Sequence, residues 1–251
     1  LNTALHQHLH KSVELCLKMM QTFYPSLGVR ARRVAELCRQ MADDLQLPPD
    51  ERQVLEISAL LHDVGLVGIP RDLIKSWQHS PGSLTQAERD LVQRHPLWGQ
   101  ELVGFMDHLE LVGKVIRAHH ERYDGNGYPD GLSEDQIPWL GRLLAVAVGY
   151  AESNSPPQTA LQAMEQGSGS AYDPEAARLF LRCRPGAAPS RLDQELLLAE
   201  LRPGMVLAKG VHAANGLLLM PEGQRLNAAH IDKLWNHHRV NPIRHKLLVY
   251  R

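Results

Sequence analysis

Five residues in three short segments have the types and spacing for metal chemistry: His62-Asp63, His95, and the adjacent pair His119-His120. Neutral imidazole and carboxylate together suit divalent borderline metals such as Fe, Mn and Zn. A carboxylate can also bridge two metals, as two-metal hydrolytic sites require. A His-Asp pair alone is a weak signal, because a capping or core pair near a helix end has the same pattern. Three downstream segments change the odds: His95-Pro96, then His119-His120-Glu121, then Gly127-Tyr128-Pro129.

The elements that must position these residues are mostly helical. Apolar spacing predicts a helix over 3–23, a second over about 29–46 after a break at Pro25 and Gly28, and a third opened by Pro48-Pro49-Asp50 that delivers His62 and Asp63 at its end. Residues 67–83 read as an ordered loop. Thr85 to Glu88 is a capping-box pattern opening a helix over about 86–107, with Pro96 kinking or splitting it. A helix over about 108–120 ends in His119-His120, and the turn-forming run 123–131 must be loop. Pro138 opens an almost wholly apolar helix over 139–152, which is therefore buried. Pro156-Pro157 starts a short piece, and Asp173-Pro174 opens a last helix to about 183. The periodicity then changes. Met205–Val211 and Leu217–Met220 read as strands around an Asn215-Gly216 turn, followed by a short helix at 227–236 and a strand near 246–250. The expected division is a connector helix (1–25), a helical domain (26–183), a linker (184–192) and a small α+β module (193–251).

Composition narrows the classes. With 251 residues, 43% of them hydrophobic, one large domain or a domain plus a module is expected. A net charge of −1 gives no global field to attract nucleic acid or membrane. Cys16, Cys38 and Cys183 lie in apolar helical patterns and read as reduced core thiols of a cytoplasmic protein. No apolar run approaches the ~20 residues of a membrane helix. Of the fourteen histidines, His6, His8, His10, His237 and His238 read as solvated surface groups. The start at Leu1 rather than Met suggests a piece of a longer protein with an upstream domain.

The segments His62-Asp63-Val64-Gly65, Gly68-Ile69-Pro70, His95-Pro96-x-x-Gly99, His119-His120-Glu121-Arg122-Tyr123-Asp124-Gly125-x-Gly127-Tyr128-Pro129 and Gly131-Leu132 through Ile137-Pro138 resemble the HD-GYP domain. This is the branch of the HD metal-dependent phosphohydrolases associated with cyclic di-GMP hydrolysis. The resemblance spans about residues 26–180, in the family order and at family-like spacing. The last module is similar to one that follows this domain in some response regulators. The resemblance implies a mainly α helical bundle of the HD-GYP type holding two or three metals. His62 and Asp63 would be ligands and the catalytic pair, with Asp63 bridging, and His95, His119 and His120 would complete the second site. It also implies contact of Gly127, Tyr128, Pro129 and Arg122 with substrate or with a protein partner such as a diguanylate cyclase domain, and an upstream receiver or sensor domain.

The chain departs from the family where the first metal should be held. Arg30 stands at the first metal-site His and Val148 at the closing Asp; Leu66 replaces the Lys after H-D-x-G, Ser26 an acidic residue, and Asn154-Ser155-Pro156-Pro157 the R-x-Y element. An Arg is permanently charged and cannot ligate a cation, whereas beside Asp63 it could replace the charge of a missing metal. A degenerate signalling module with impaired or absent phosphodiesterase activity is therefore expected, with one divalent metal per chain (Fe or Mn) or none, acting by binding cyclic di-GMP or a protein. The alternatives are an active metal-dependent phosphodiesterase yielding pGpG or GMP, and a homodimerising scaffold built on the N-terminal helix. Arg30, Arg33, Lys75 and Arg122 could hold phosphates, or be solvated or ion-paired.

Overall fold

In a computed structural model the described residues are 2–105, 109–153, 155–183, 194–207, 210–213, 218–221, 224–241, 243 and 247–250. The chain divides into two compact units, Leu1–Pro185 and Gly186–Arg251. The first is helical: α1 (Asn2–Phe23), α2 (Pro25–Asp44), α3 (Pro49–Leu61), α4 (Arg71–His79), α5 (Gln86–Val92), α6 (His95–Val103), α7 (Glu110–Arg117), α8 (Trp139–Glu152), α9 (Pro157–Gln166) and α10 (Pro174–Arg182). A mainly α bundle with a small C-terminal α+β unit is thus the observed fold class.

The caps written in the sequence form where expected. Thr85 Oγ1 accepts from the Glu88 N–H and the Glu88 carboxylate accepts from the Thr85 N–H, closing the capping box of α5. Asp173 accepts from the N–H groups of Glu175 and Ala176 at the start of α10. The apolar helix α8 runs through the main core. Its Leu143, Leu144, Ala147 and Val148 pack with Val34, Leu37 and Met41 of α2, Leu55 and Ala59 of α3, and Phe180 of α10.

Several expectations are corrected. Residues 67–83 are not loop throughout, because they contain α4. Its helical period is masked in the sequence by the flanking Pro70 and Pro81-Gly82. The expected break at Pro25 is present, α1 ending at Phe23, but Pro25 itself starts α2 at its first position. Gly28 lies inside α2, where a Cβ would come within 2.4 Å of Gln21 Cγ on α1. The helix expected over 86–107 with a kink or split at Pro96 is split between Val92 and His95 into α5 and α6. His119 and His120 follow the end of α7 instead of lying within it. Cys16 is exposed rather than inward.

In the second unit β1 (Gln194–Leu196), β5 (Leu247–Tyr250) and β2 (Val206–Leu207) form an antiparallel sheet in that order, and β3 (Val211–His212) pairs antiparallel with β4 (Leu218–Met220). The helix α11 (Ala228–Val240) supplies the buried Leu234 to their core. The stretch 205–211, read as one strand, therefore serves two sheets. His238 is not merely solvated, since its Nδ1 accepts the Ile243 N–H. The linker 184–192 and the Asn215-Gly216 turn lie outside the described residues.

Leu144 is fully buried at the centre of the bundle. Leu144→Ala is expected to destabilise the helical unit by about 2–5 kcal/mol, read from urea unfolding. A loss below ~1 kcal/mol would contradict the packing described.

Candidate metal centre

Three of the candidate histidines share one local device. A helix leaves its last carbonyls without intrahelical partners, and here imidazoles take them. His62 Nδ1 donates to Ala59 O at the end of α3 (2.8 Å), His95 Nδ1 to Val92 O at the end of α5 (2.8 Å), and His119 Nδ1 to Ile116 O at the end of α7 (2.5 Å). These bonds select the tautomer that leaves each Nε2 as a lone pair directed inward. They also bring three helix C-termini, the negative ends of the helix dipoles, to one point. The turn Val64–Gly68 after Asp63 packs against the start of α6 so closely that a Cβ on Gly65 would lie 2.1 Å from His95 O. Glycine at this position sets the distance between the His62-Asp63 pair and His95.

The Nε2 atoms of His95 and His119 are 3.2 Å apart. Two facing lone pairs repel unless a positive charge lies between them, and two nitrogens about 2.0–2.1 Å from one cation stand about 3.0–3.4 Å apart. His120 joins this pair; the ligand atoms of His95, His119 and His120 lie within 4.8 Å of one another. His120 Nε2 and Asp63 Oδ1 are buried without a hydrogen-bond partner, and Asp63 Oδ1 is 3.6 Å from His95 Nε2. Such orphaned atoms in a buried cluster fit a divalent metal held by His95, His119 and His120, with Asp63 Oδ1 beside His95. Burial lowers the pKa of His95 to about 4, against the pull of Asp63. It drives His119 and His120 well below the ordinary histidine value, helped by their neighbouring imidazoles. The cluster is therefore neutral imidazole, the form that binds metal.

Arg30 enters from α2. Its Nη2 donates to Asp63 Oδ2 at 2.5 Å, and its Nη1 donates to Glu152 Oε1 at 3.0 Å. Burial works to raise the Asp63 pKa, but the guanidinium together with His62 and His95 outweighs it and holds Asp63 well below the usual carboxylate range. His62 Nε2 is 3.2 Å from the same Asp63 Oδ2 without hydrogen-bond alignment. Val148 is buried one helical turn before Glu152, and Leu66 is also buried. Glu152 escaped the sequence reading; the available signal was its place four residues after Val148, on the same face of α8.

An aromatic cover closes the cluster. The Tyr128 ring stacks on His120 with centroids 4.7 Å apart. Trp77 of α4 lies 5.9 Å from His95 and 6.3 Å from His120, with the Arg30 guanidinium 5.8 Å over its ring. Trp77 was missed because its helix was read as loop. Of the other basic candidates, Arg122 is paired with Asp124 (2.6 Å), Lys75 lies near Asp72 (3.5 Å), and Arg33 stacks on Tyr150.

The loop bearing Gly127, Tyr128 and Pro129 is anchored by Glu121. This buried carboxylate accepts the N–H groups of Asp130 (2.7 Å) and Leu132 (3.0 Å). Arg117 adds a two-pronged pair to Asp130. Hydrogen bonds to a charged group contribute about 1.5–3 kcal/mol each. Glu121→Ala is expected to cost about 3 kcal/mol and to speed amide hydrogen exchange at Asp130 and Leu132. Unchanged protection of those two amides would refute this anchoring.

The HD domain family matches this chain over residues 14–176. The cyclic di-GMP phosphodiesterase response regulator RpfG of Xanthomonas campestris pv. campestris (strain 8004) is 34% identical over 183 residues, covering 69% of this chain and 47% of that protein. The 3'3'-cGAMP-specific phosphodiesterase 2 of Vibrio cholerae serotype O1 is 31% identical over 164 residues, covering 61% of this chain and 31% of the relative. The chain thus spans about half the length of these curated relatives or less. Among solved structures, Bd1817, an HDG"Y"P protein from Bdellovibrio bacteriovorus, aligns with a TM-score of 0.52 and 25% identity over 60% of this chain and 50% of that one. With its His-Asp pair and downstream histidines gathered at three helix ends, the chain belongs to the HD domain family, in its HD-GYP branch.

Proposed function

We propose that this chain is a degenerate HD-GYP module of bacterial cyclic di-GMP signalling, with one divalent metal (Fe or Mn) and with phosphodiester hydrolysis impaired or absent. It acts by binding a cyclic dinucleotide or a protein. The observation that carries this reading is the Arg30–Asp63 pair at 2.5 Å. A permanent cation already satisfies one oxygen of the carboxylate that would bridge two metals.

Asp63, His95, His119 and His120 would hold the metal, with the Nε2 lone pairs of His95 and His119 already oriented by backbone carbonyls. When bound, a divalent metal polarises a phosphoryl oxygen and lowers the pKa of a water. Arg30 contributes fixed positive charge beside Asp63 but cannot activate a water, being protonated at all working pH values. Tyr128 and Trp77 restrict water around the cluster. The segment Gly127, Tyr128, Pro129 with Arg122 is the proposed contact for a ligand or a protein partner, and its anchoring by Glu121 and Arg117 presents it in one conformation. No helix among the described residues is long and apolar enough to cross a membrane.

The second reading is an active metal-dependent phosphodiesterase that cuts cyclic di-GMP to pGpG or GMP. It is favoured by the neutral, inward-directed histidine cluster. Metal content and hydrolysis decide between the two. Protein purified without chelator and loaded with Mn(II) or Fe(II) is expected to hold about one metal per chain. Its cyclic di-GMP hydrolysis is expected to be about a hundredfold or more slower than that of a two-metal homologue, as several kcal/mol of charge stabilisation are lost. Two metals per chain with fast turnover would establish the second reading and end the first.

A further inference from the structure

The guanidinium of Arg30 lies between two carboxylates from different elements, Asp63 after α3 and Glu152 at the end of α8. Asp63 has no side-chain exposure, Arg30 only 12% and Glu152 27%. Next to them is an unexplained nitrogen. His62 is fully buried, its Nδ1 donates to Ala59 O, and its Nε2 has no hydrogen-bond partner. That lone pair faces the same Asp63 oxygen that receives Arg30, at 3.2 Å. A lone pair opposite a carboxylate oxygen is unfavourable unless a cation lies close to both. The cation paired with that oxygen is the guanidinium. The guanidinium is thus paired with two carboxylates, and one of them also faces an imidazole nitrogen; imidazole and carboxylate are donor types suited to Mn or Fe.

We infer that Glu152 and Arg30 are a matched pair: Glu152 holds the guanidinium in the place of a second metal, and with that charge removed His62, Asp63 and Glu152 bind a second divalent ion. This rests on the single-metal reading above and goes beyond it by naming what excludes the second ion and which residues would take it. Glu152 is a positioning residue for Arg30 in the native chain and becomes a ligand only when Arg30 is gone. Its place four residues after Val148 lets the same face of α8 supply a carboxylate one turn farther along.

The test is the change in metal count between variants. Native protein, Arg30→Met and the double variant Arg30→Met/Glu152→Gln are loaded with Mn(II), freed of excess by gel filtration, and measured by inductively coupled plasma mass spectrometry, with folding checked by circular dichroism. Arg30→Met is expected to bind one more Mn(II) per chain than native protein, and the double variant to lose that gain. Should Arg30→Met fail to fold, Arg30→Gln, whose amide still donates to a carboxylate, replaces it with the same expectation. No gain in the folded Arg30 variant overturns the inference. A gain that survives Glu152→Gln overturns the role of Glu152. A native count of zero with a gain of one in the variant leaves this inference standing and defeats only the single-metal reading. A native count of two defeats both.

Discussion

The arrangement of this site depends on a buried carboxylate, Asp63, and on what neutralises it. An ionised carboxylate without a partner in a dry interior costs several kcal/mol, so it must be paired or change its protonation state. Arg30 pairs with it at 2.5 Å. The guanidinium has its own desolvation cost, and Glu152 offsets part of that from the opposite side. Position 148 carries a buried Val and position 152 a carboxylate. An Asp at the buried position 148 would be a further charge to neutralise, whereas Glu152 reaches the guanidinium at 3.0 Å.

The histidines follow a different logic. His62, His95 and His119 each stand just past the end of a helix and spend Nδ1 on a carbonyl the helix cannot satisfy itself. One residue thereby caps a helix and directs a lone-pair nitrogen inward. The centre is assembled where three helix ends converge, so its geometry is as stiff as the packing of α3, α5 and α7. Gly65 permits this convergence, because any side chain there would collide with the His95 carbonyl.

Glu121 links the centre to its surroundings. It follows His120 directly and receives two backbone amides of the next loop, which ties the residues that border the cluster to the loop that carries Tyr128. Tyr128 uses this anchoring to lie flat on His120. The loop therefore gives its aromatic ring to the cluster and leaves Arg122 and Asp124 paired on its outer side.

Much of the scaffold was legible in the sequence because it is encoded within a few residues of each position. The 3.6-residue period marks α1 to α3 and α8, Thr85 and Asp173 mark their helix starts by side chains that reach only three residues on, and the candidate donors His62, Asp63, His95, His119 and His120 are visible in short motifs. The helix α4 was hidden by the turn formers around it, and 205–211 was read as one strand because local alternation cannot say which sheet a residue joins. The sequence placed Arg30 where the family resemblance expects a ligand, but did not say which way it points. The tertiary structure alone decided that it meets Asp63 and, 122 residues away in the chain, Glu152. The physical reason is that such a contact has no local signature. It exists only because α2 packs against α8 and brings the two ends of a long-range ion pair to the same buried point.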